Sequence, residues 1–298
     1  MFLATTTGDF SRYTTEQTDA MAHIRKAGFR YCDYSFQVDY NRKDGIYGED
    51  YLRHFEKINK AQEALSLKLV QAHAPMGDPL DDPNKTFLRD TARCIDACGA
   101  WGIKNLVVHS GYLRGLSREQ TLEKNKEFFL PLLEHAEKYG VNILCENFNK
   151  MCIENLYWID NATDLLAMIE CVNHPLFHAI WDVGHANMQQ MPQNEELRLL
   201  GSHVRALHIQ DNKGLDDDHL CPYLGTLNLD AVMHGLLDIG YKGYFTFEVG
   251  AFSHANHRRQ FSADTRLLVP PIELRDAFEK YLFELGRCVL QAYGCYEE

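Results

Sequence analysis

The chain alternates between two kinds of hydrophobic pattern. Short runs of β-branched and aromatic residues predict eight strands, at residues 2–6, 29–34, 67–72, 105–109, 142–146, 178–182, 204–209 and 243–248. Apolar residues at helical spacing predict helices near residues 15–27, 49–66, 85–101, 163–171, 194–200, 229–239 and 272–293, and one from Ser117 to just before Gly140. A strand followed by a helix, eight times over, is typical of a (β/α)₈ barrel with a parallel inner sheet.

One barrel formed by residues 1–298 accounts for this alternation. The length alone would also allow two domains. However, no Gly/Ser/Pro-rich linker, low-complexity tract or block of charge divides the chain. A doubly wound open sheet usually has fewer strands and often carries a GxGxxG motif after the first one, and the sequence lacks that motif. We therefore expect an α/β protein with a single TIM-barrel domain.

Nearly every predicted strand from the third onward ends in a residue that can bind a metal or move a proton. In a barrel these strand ends meet at one mouth, where active sites form. One histidine or carboxylate at such a place usually has a structural role, but many of them together would repel or desolvate one another unless a cation held them. The sequence therefore predicts a metal site built from strand ends that carry His73, His109, Glu146, Asp182, His185, His208 and Glu248.

The residue types narrow the choice of metal. Glu146, Asp182, His208 and Glu248 offer mostly oxygen ligands, which suit one divalent ion, Mn²⁺, Mg²⁺ or Co²⁺, with Zn²⁺ as a further option. Four protein ligands leave two positions for the vicinal carbonyl and hydroxyl oxygens of a substrate. An ion placed there would polarise the carbonyl and stabilise an enediolate as the neighbouring carbon loses its proton. This chemistry is that of a sugar isomerase or epimerase.

Composition limits the partners and the location. Lys and Arg total 30 against 42 Asp and Glu, and the formal charge of -12 argues against nucleic acid as a partner. No apolar run is long enough to span a membrane, and the first residues lack the pattern of a secretory signal. The nine cysteines are scattered without a CxxC pair, as expected for reduced thiols. We expect a cytoplasmic protein with no membrane partner.

Seven segments between residues 70 and 250 together resemble the xylose isomerase-like TIM-barrel superfamily, the sugar phosphate isomerase/epimerase group related to endonuclease IV. They are QAHAP, VVHSG, LCENF, WDVGHAN, ALHIQDN, DDHLCPYLG and FEVG. For ketose 3-epimerase-like members the resemblance implies a sugar or sugar phosphate as substrate and one divalent metal on the four residues named above. It also implies that Glu146 and Glu248 act as the acid/base pair on opposite sides of the substrate carbon. His185 would contact a substrate oxygen, and His73 and His109 would line the pocket.

Three other functions stay open on the same residues. Endonuclease IV resembles the chain at nine positions, which add Asp217 and His219 to the strand-end residues and which hold three zinc ions in that family. The negative charge, the Asp-rich loops and Met76 in place of a DNA-probing aromatic argue against a phosphodiesterase. A lyase of the inosose dehydratase kind and a non-catalytic barrel that binds sugar or metal are the remaining alternatives. In the sugar enzyme, Asp217 and His219 are expected to bind substrate.

Residues 251–271 separate the last strand from the last helix and show no pattern of their own. A loop of this length usually has a function. We expect this one to form a lid or a dimer contact. Barrels of this kind often self-associate, so the expected state includes a homo-oligomer, although no residue pattern fixes the number of subunits.

Overall fold

The inner sheet consists of parallel strands that follow one another around a barrel. The computed structural model describes residues 1–149, 157–250 and 270–298. Its strands are β1 (Phe2–Thr6), β2 (Tyr31–Ser35), β3 (Lys68–His73), β4 (Asn105–Val108), β5 (Asn142–Glu146), β6 (Phe177–Asp182), β7 (Val204–His208) and β8 (Tyr244–Phe247). They form one sheet in the order β7-β6-β5-β4-β3-β2-β1-β8. Ile209 bridges to Phe247 in parallel, and its N–H donates to the Thr246 carbonyl at 2.8 Å, which nearly closes the barrel between β7 and β8.

Helices connect the strands on the outside. They are α1 (Gln17–Ala27), α2 (Phe36–Arg42), α3 (Tyr51–Leu65), α4 (Thr86–Trp101), α5 (Arg118–Ala136), α6 (Ala162–Val172), α7 (Val183–Gln189), α8 (Gln193–Leu200), α9 (Leu229–Asp238) and α10 (Ile272–Ala292). The predicted (β/α)₈ barrel is therefore confirmed. The expected lid or dimer contact at 251–271 falls outside the described residues except for its last two positions.

Local sequence explains where α5 begins. The Ser117 hydroxyl accepts a hydrogen bond from the Gln120 N–H at 3.3 Å, and the Gln120 side chain accepts one from the Ser117 N–H at 2.8 Å. This reciprocal capping box satisfies two backbone donors that a helix start leaves without partners. Gly140 follows the helix with a φ of 60°, a left-handed conformation that suits glycine.

Inside the barrel, β4 to β7 carry an apolar layer and, one layer closer to the mouth, a polar one. Val107, Leu144, Ile180 and Ala206, on β4 to β7, form a separate buried apolar cluster. Side chains alternate between the two faces of a strand, so the residues two positions further along β4 to β7 also point inward. Those positions carry His109, Glu146, Asp182 and His208. The apolar cluster thus lies one layer below the polar residues at the ends of these strands.

Candidate metal centre

Glu146 lies at the centre of the barrel mouth. Potential ligand atoms of Glu146, Asp182 and His208, at the ends of β5, β6 and β7, all lie within 4.8 Å of one another. Glu146 Oε1 is 2.8 Å from His208 Nδ1. All three residues are at most 2% exposed. Three of the four residues predicted to ligate a metal therefore form one buried group.

Glu248 brings the fourth predicted ligand to this group from the other side of the barrel closure. It follows β8, and its Oε2 atom lies 3.6 Å from His208 Nδ1. Its side chain is 25% exposed, whereas the side chain of Glu146 is 1% exposed. The same imidazole nitrogen thus faces one fully buried carboxylate and one that reaches the solvent-facing edge of the mouth.

His73 and His109 form a second group that shares Glu146. His73 Nε2 lies 3.2 Å and His109 Nε2 lies 3.6 Å from Glu146 Oε2. Because the first group uses the other oxygen of this carboxylate, Glu146 connects the two groups. Potential ligand atoms of His73, His109 and Glu146 also lie within 4.8 Å of one another.

A third group consists of His185, Asp217 and His219, which come from α7 and the loop after β7. His185 Nε2 is 3.5 Å from Asp217 Oδ2, and His219 Nε2 is 3.2 Å from Asp217 Oδ1. His219 Nδ1 lies 3.7 Å from Glu248 Oε2, which joins this group to the first. All nine positions singled out in the sequence therefore meet at one barrel mouth.

The electrostatics of the mouth suit a cation. Burial raises the pKa of Asp182 to about 6 and lowers the pKa of His109 to about 3. Despite burial, which acts in the opposite direction, Asp182 and Asp217 raise the pKa of His185 to about 10. Against the same desolvation, His208 keeps the pKa of Glu146 well below its usual range. The raised pKa of His185 reflects the carboxylates gathered at the mouth, whose charge a bound cation would offset.

Unsatisfied atoms point to the same conclusion. Among the described residues, neither Asp182 Oδ2 nor either ring nitrogen of His109 has a hydrogen-bond partner, although all three atoms are buried. Buried polar atoms without partners are rare in native proteins, and a bound ion is one reason for them. Oxygen-rich ligands with some imidazole suit Mn²⁺, Mg²⁺, Co²⁺ or Zn²⁺. The residues present therefore fit a divalent metal ion.

Neutral amides hold the ligands in place. Asp182 caps α7 by accepting a hydrogen bond from the His185 N–H at 2.7 Å, and its own N–H donates to Asn147 at 2.9 Å. The Gln210 side chain donates to Asp182 at 3.3 Å and to Asp217 at 3.2 Å, which links the first and third groups. A Cβ atom on Gly184 would lie 2.0 Å from the Gln210 side chain, so glycine is required there.

The ion pair between Asp9 and Arg275 fixes the backbone beside Glu248. Asp9 Oδ2 accepts a hydrogen bond from the Val249 N–H at 2.9 Å, and the Arg275 guanidinium donates to the Val249 carbonyl at 2.8 Å. Arg275 is fully buried and also donates to Glu279. Because both polar groups of Val249 are bound, the end of β8 has little freedom to move. Sequence reasoning missed this support, since Asp9 and Arg275 are 266 positions apart.

Aromatic rings form one wall of the mouth. Phe148 lies with its ring centroid 4.8 Å from His109 and 4.6 Å from His185. The sequence also places Trp181 and Tyr223 near these motifs, where core packing explains Trp181 equally well. Trp181 packs in the core between sheet and helices, where its indole N–H donates to Gln193, and Tyr223 is 62% exposed.

Comparison with known proteins shows which family this architecture belongs to. A family model described as the xylose isomerase-like TIM barrel matches residues 21–268, so the chain belongs to this family. An uncharacterized protein of Methanocaldococcus jannaschii is 31% identical over 192 residues, which are 60% of this chain and 64% of that protein. The fructoselysine 3-epimerase of Escherichia coli O157:H7 is 31% identical over 123 residues, which are 40% of this chain and 42% of that enzyme. The matches span less than two thirds of either relative.

Solved structures share the fold over nearly the whole chain. The crystal structure of a D-psicose 3-epimerase in the presence of D-fructose gives a TM-score of 0.74 at 15% identity and covers 97% of this chain and 99% of that one. At 15% identity this match shows a shared fold. None of the described helices combines the length and the apolar character that a membrane crossing requires.

Proposed function

We propose that the chain is a divalent-metal-dependent sugar epimerase or isomerase that acts on a ketose or a ketose phosphate. The observation that carries this proposal is the pairing of Glu146 and Glu248 around one imidazole nitrogen, at 2.8 Å and 3.6 Å from His208 Nδ1. With Asp182 they form the oxygen-rich ligand set proposed for one Mn²⁺, Mg²⁺, Co²⁺ or Zn²⁺ ion. The fructoselysine 3-epimerase among the relatives supports this choice of chemistry.

The two glutamates have complementary environments in this proposal. Glu146 is buried and has a depressed pKa, so it is ionised and can accept a proton. Glu248 reaches the edge of the mouth, where it can exchange protons with solvent. One glutamate removes the proton from the carbon beside the carbonyl, and the other returns a proton to the opposite face. A bound ion would polarise the substrate carbonyl and so acidify that carbon.

The remaining polar residues of the mouth suit a polyhydroxylated substrate. His185, Asp217 and His219 offer hydrogen-bond donors and acceptors on the side of Glu248. His73 and His109 offer further nitrogens on the side of Glu146. Phe148, beside two of these histidines, gives the C–H face of a sugar an apolar surface. These five polar residues are the proposed substrate-binding set.

Deuterium exchange tests the proposal. The Mn²⁺-loaded protein is incubated in D₂O with ketoses, ketose phosphates and inososes, and the products are examined by NMR and mass spectrometry. We expect deuterium at the carbon beside the carbonyl of at least one ketose, together with its epimer or aldose isomer. The chelator-treated protein should give neither. Loss of water from an inosose without epimerisation would instead indicate a lyase, and no reaction with any substrate would contradict the proposal.

The three ligand groups favour a second candidate function. A trinuclear zinc phosphodiesterase would use His73, His109 and Glu146 for one ion, Glu146, Asp182 and His208 for the next, and His185, Asp217 and His219 for the third. Cleavage of DNA containing abasic sites by the zinc-loaded protein would support it. The net charge of -12 opposes binding of a phosphate backbone, so we place this function second.

A further inference from the structure

The two ring nitrogens of His208 face two different environments. Nδ1 faces the carboxylates of the barrel mouth, Glu146 at 2.8 Å and Glu248 at 3.6 Å. Nε2 faces β2 and β3, where Asp33 Oδ2 lies at 3.2 Å and Gln71 Nε2 at 2.9 Å. If Nδ1 binds the ion, Nε2 is the nitrogen that these two residues control.

Asp33 is an unusual residue for the buried interior of a barrel. It lies on β2 in register with Gln71 on β3, and both side chains are 1% exposed. The Gln71 amide donates a hydrogen bond to Asp33 Oδ2 at 2.6 Å. Among the described residues, Asp33 Oδ1 has no hydrogen-bond partner. Because burial of a carboxylate is costly unless it is paired, a specific role for Asp33 is expected.

The position of one proton defines that role. A neutral imidazole that binds a metal through Nδ1 carries its hydrogen on Nε2, and an acceptor at Nε2 fixes both this tautomer and the ring orientation. The Asp33 carboxylate is such an acceptor, with Oδ2 at 3.2 Å from Nε2. In this tautomer the Gln71 amide nitrogen, 2.9 Å from Nε2, is not a hydrogen-bond partner of the ring, because both nitrogens then donate to Asp33 Oδ2. Gln71 donates to the same oxygen and so holds the carboxylate in place.

We infer that Asp33, held by Gln71, is a positioning residue that orients His208 and directs its Nδ1 lone pair toward the metal centre. This inference rests on the proposed metal-dependent function. It assigns a role to a residue that contacts neither the proposed substrate set nor the proposed acid/base pair. Outer carboxylates of this kind typically change metal affinity by about 10–100-fold when they are removed.

The test compares two matched substitutions. Asp33→Asn should weaken Mn²⁺ binding by about 10–100-fold in equilibrium dialysis followed by electron paramagnetic resonance, and should change the visible spectrum of the Co²⁺-loaded protein. Asp39→Asn is the control, because Asp39 is also 1% exposed, accepts from the Gln17 amide at 3.0 Å and lies 3.7 Å from His54 Nε2. We expect the control variant to keep the metal affinity and the Co²⁺ spectrum of the unmodified protein.

The outcomes distinguish a failure of the inference about Asp33 from a failure of the proposed function. If the unmodified protein binds no Mn²⁺, the proposed function fails. If it binds Mn²⁺ and Asp33→Asn binds equally well, the inference about Asp33 is overturned while the proposed function stands. Thermal unfolding of the metal-free variants shows whether they are folded.

A measurement on the unmodified chain decides the question if Asp33→Asn does not fold. In the Zn²⁺-loaded protein with ¹⁵N-labelled histidine, we expect one ring to carry its proton on Nε2, and its signals to be absent from the His208→Gln variant. A proton on Nδ1 of that ring, with Nε2 as the ligating nitrogen, would contradict the inference.

Discussion

Replacing Glu146 with Gln should lower kcat for the proposed epimerisation by about 10²–10⁴-fold, because acid–base catalysis by a positioned carboxylate contributes about that factor. The variant should also bind Mn²⁺ more weakly, since Glu146 faces His208 with one oxygen and His73 with the other. Glu248→Gln should lose turnover by a similar factor. Steady-state kinetics on the ketose identified by deuterium exchange, with metal affinity measured in parallel, checks both expectations.

A matched control separates lost chemistry from lost structure. Glu196 is also buried, at 7% exposure, but it accepts a hydrogen bond from the Ala162 N–H at 2.7 Å outside the barrel mouth. Glu196→Gln should lower the free energy of unfolding without a matching fall in kcat. Full activity in both the Glu146 and the Glu248 variants would remove these residues from the mechanism.

Addition of Mn²⁺ to the chelated protein should raise its unfolding temperature, and the rise should grow from pH 5 to pH 8. An ion at about 1,000 times its dissociation constant adds about 4 kcal/mol to the free energy of unfolding. Burial raises the pKa of Asp182 to about 6, so below this pH a proton occupies a carboxylate that the ion needs. His208, whose pKa its acidic neighbours raise despite burial, must also release a proton.

The dependence of stability on pH has opposite signs in the metal-free and the metal-bound protein. Without metal, the raised pKa of Asp182 means that the folded state loses stability as the pH rises from about 4 to about 6. With metal, binding improves over the same range and above it, because the ligands lose their protons. Thermal unfolding with Mn²⁺ and with chelator at several pH values measures the difference. If the unfolding temperature with Mn²⁺ equals the unfolding temperature with chelator at every pH, a metal centre is contradicted.

The barrel and the nine residues at its mouth were predictable from the sequence because their signals are local. Strand runs end at the mouth in a parallel barrel, so a polar residue such as Glu146 after NILC is placed by topology alone. The bounds of the strands shifted by a residue or two, as for β2, which begins at Tyr31 instead of residue 29. Helices α2 and α7 were missed because each has only seven residues and follows its strand without a loop.

The supports of the site were not predictable because they depend on distant pairings. Asp33 and His208 are 175 positions apart, and Asp33 lies inside the run YCDYS, where one carboxylate has no periodic signal. Gln210 and Asn147 resemble ordinary loop amides until the fold places them against Asp182. Alternation along β6 turns Trp181 into the core, while its neighbour Asp182 faces the mouth.

Metal content measured by elemental mass spectrometry is the most direct test of the central claim, a divalent metal centre on Glu146, Asp182, His208 and Glu248. The protein is purified without added metal, and a second sample is chelated, reloaded and desalted. We expect about one Mn, Co, Mg or Zn ion per chain, and a lower content in Glu146→Gln. About three zinc ions per chain would favour the phosphodiesterase instead. No bound metal after reloading would contradict the account.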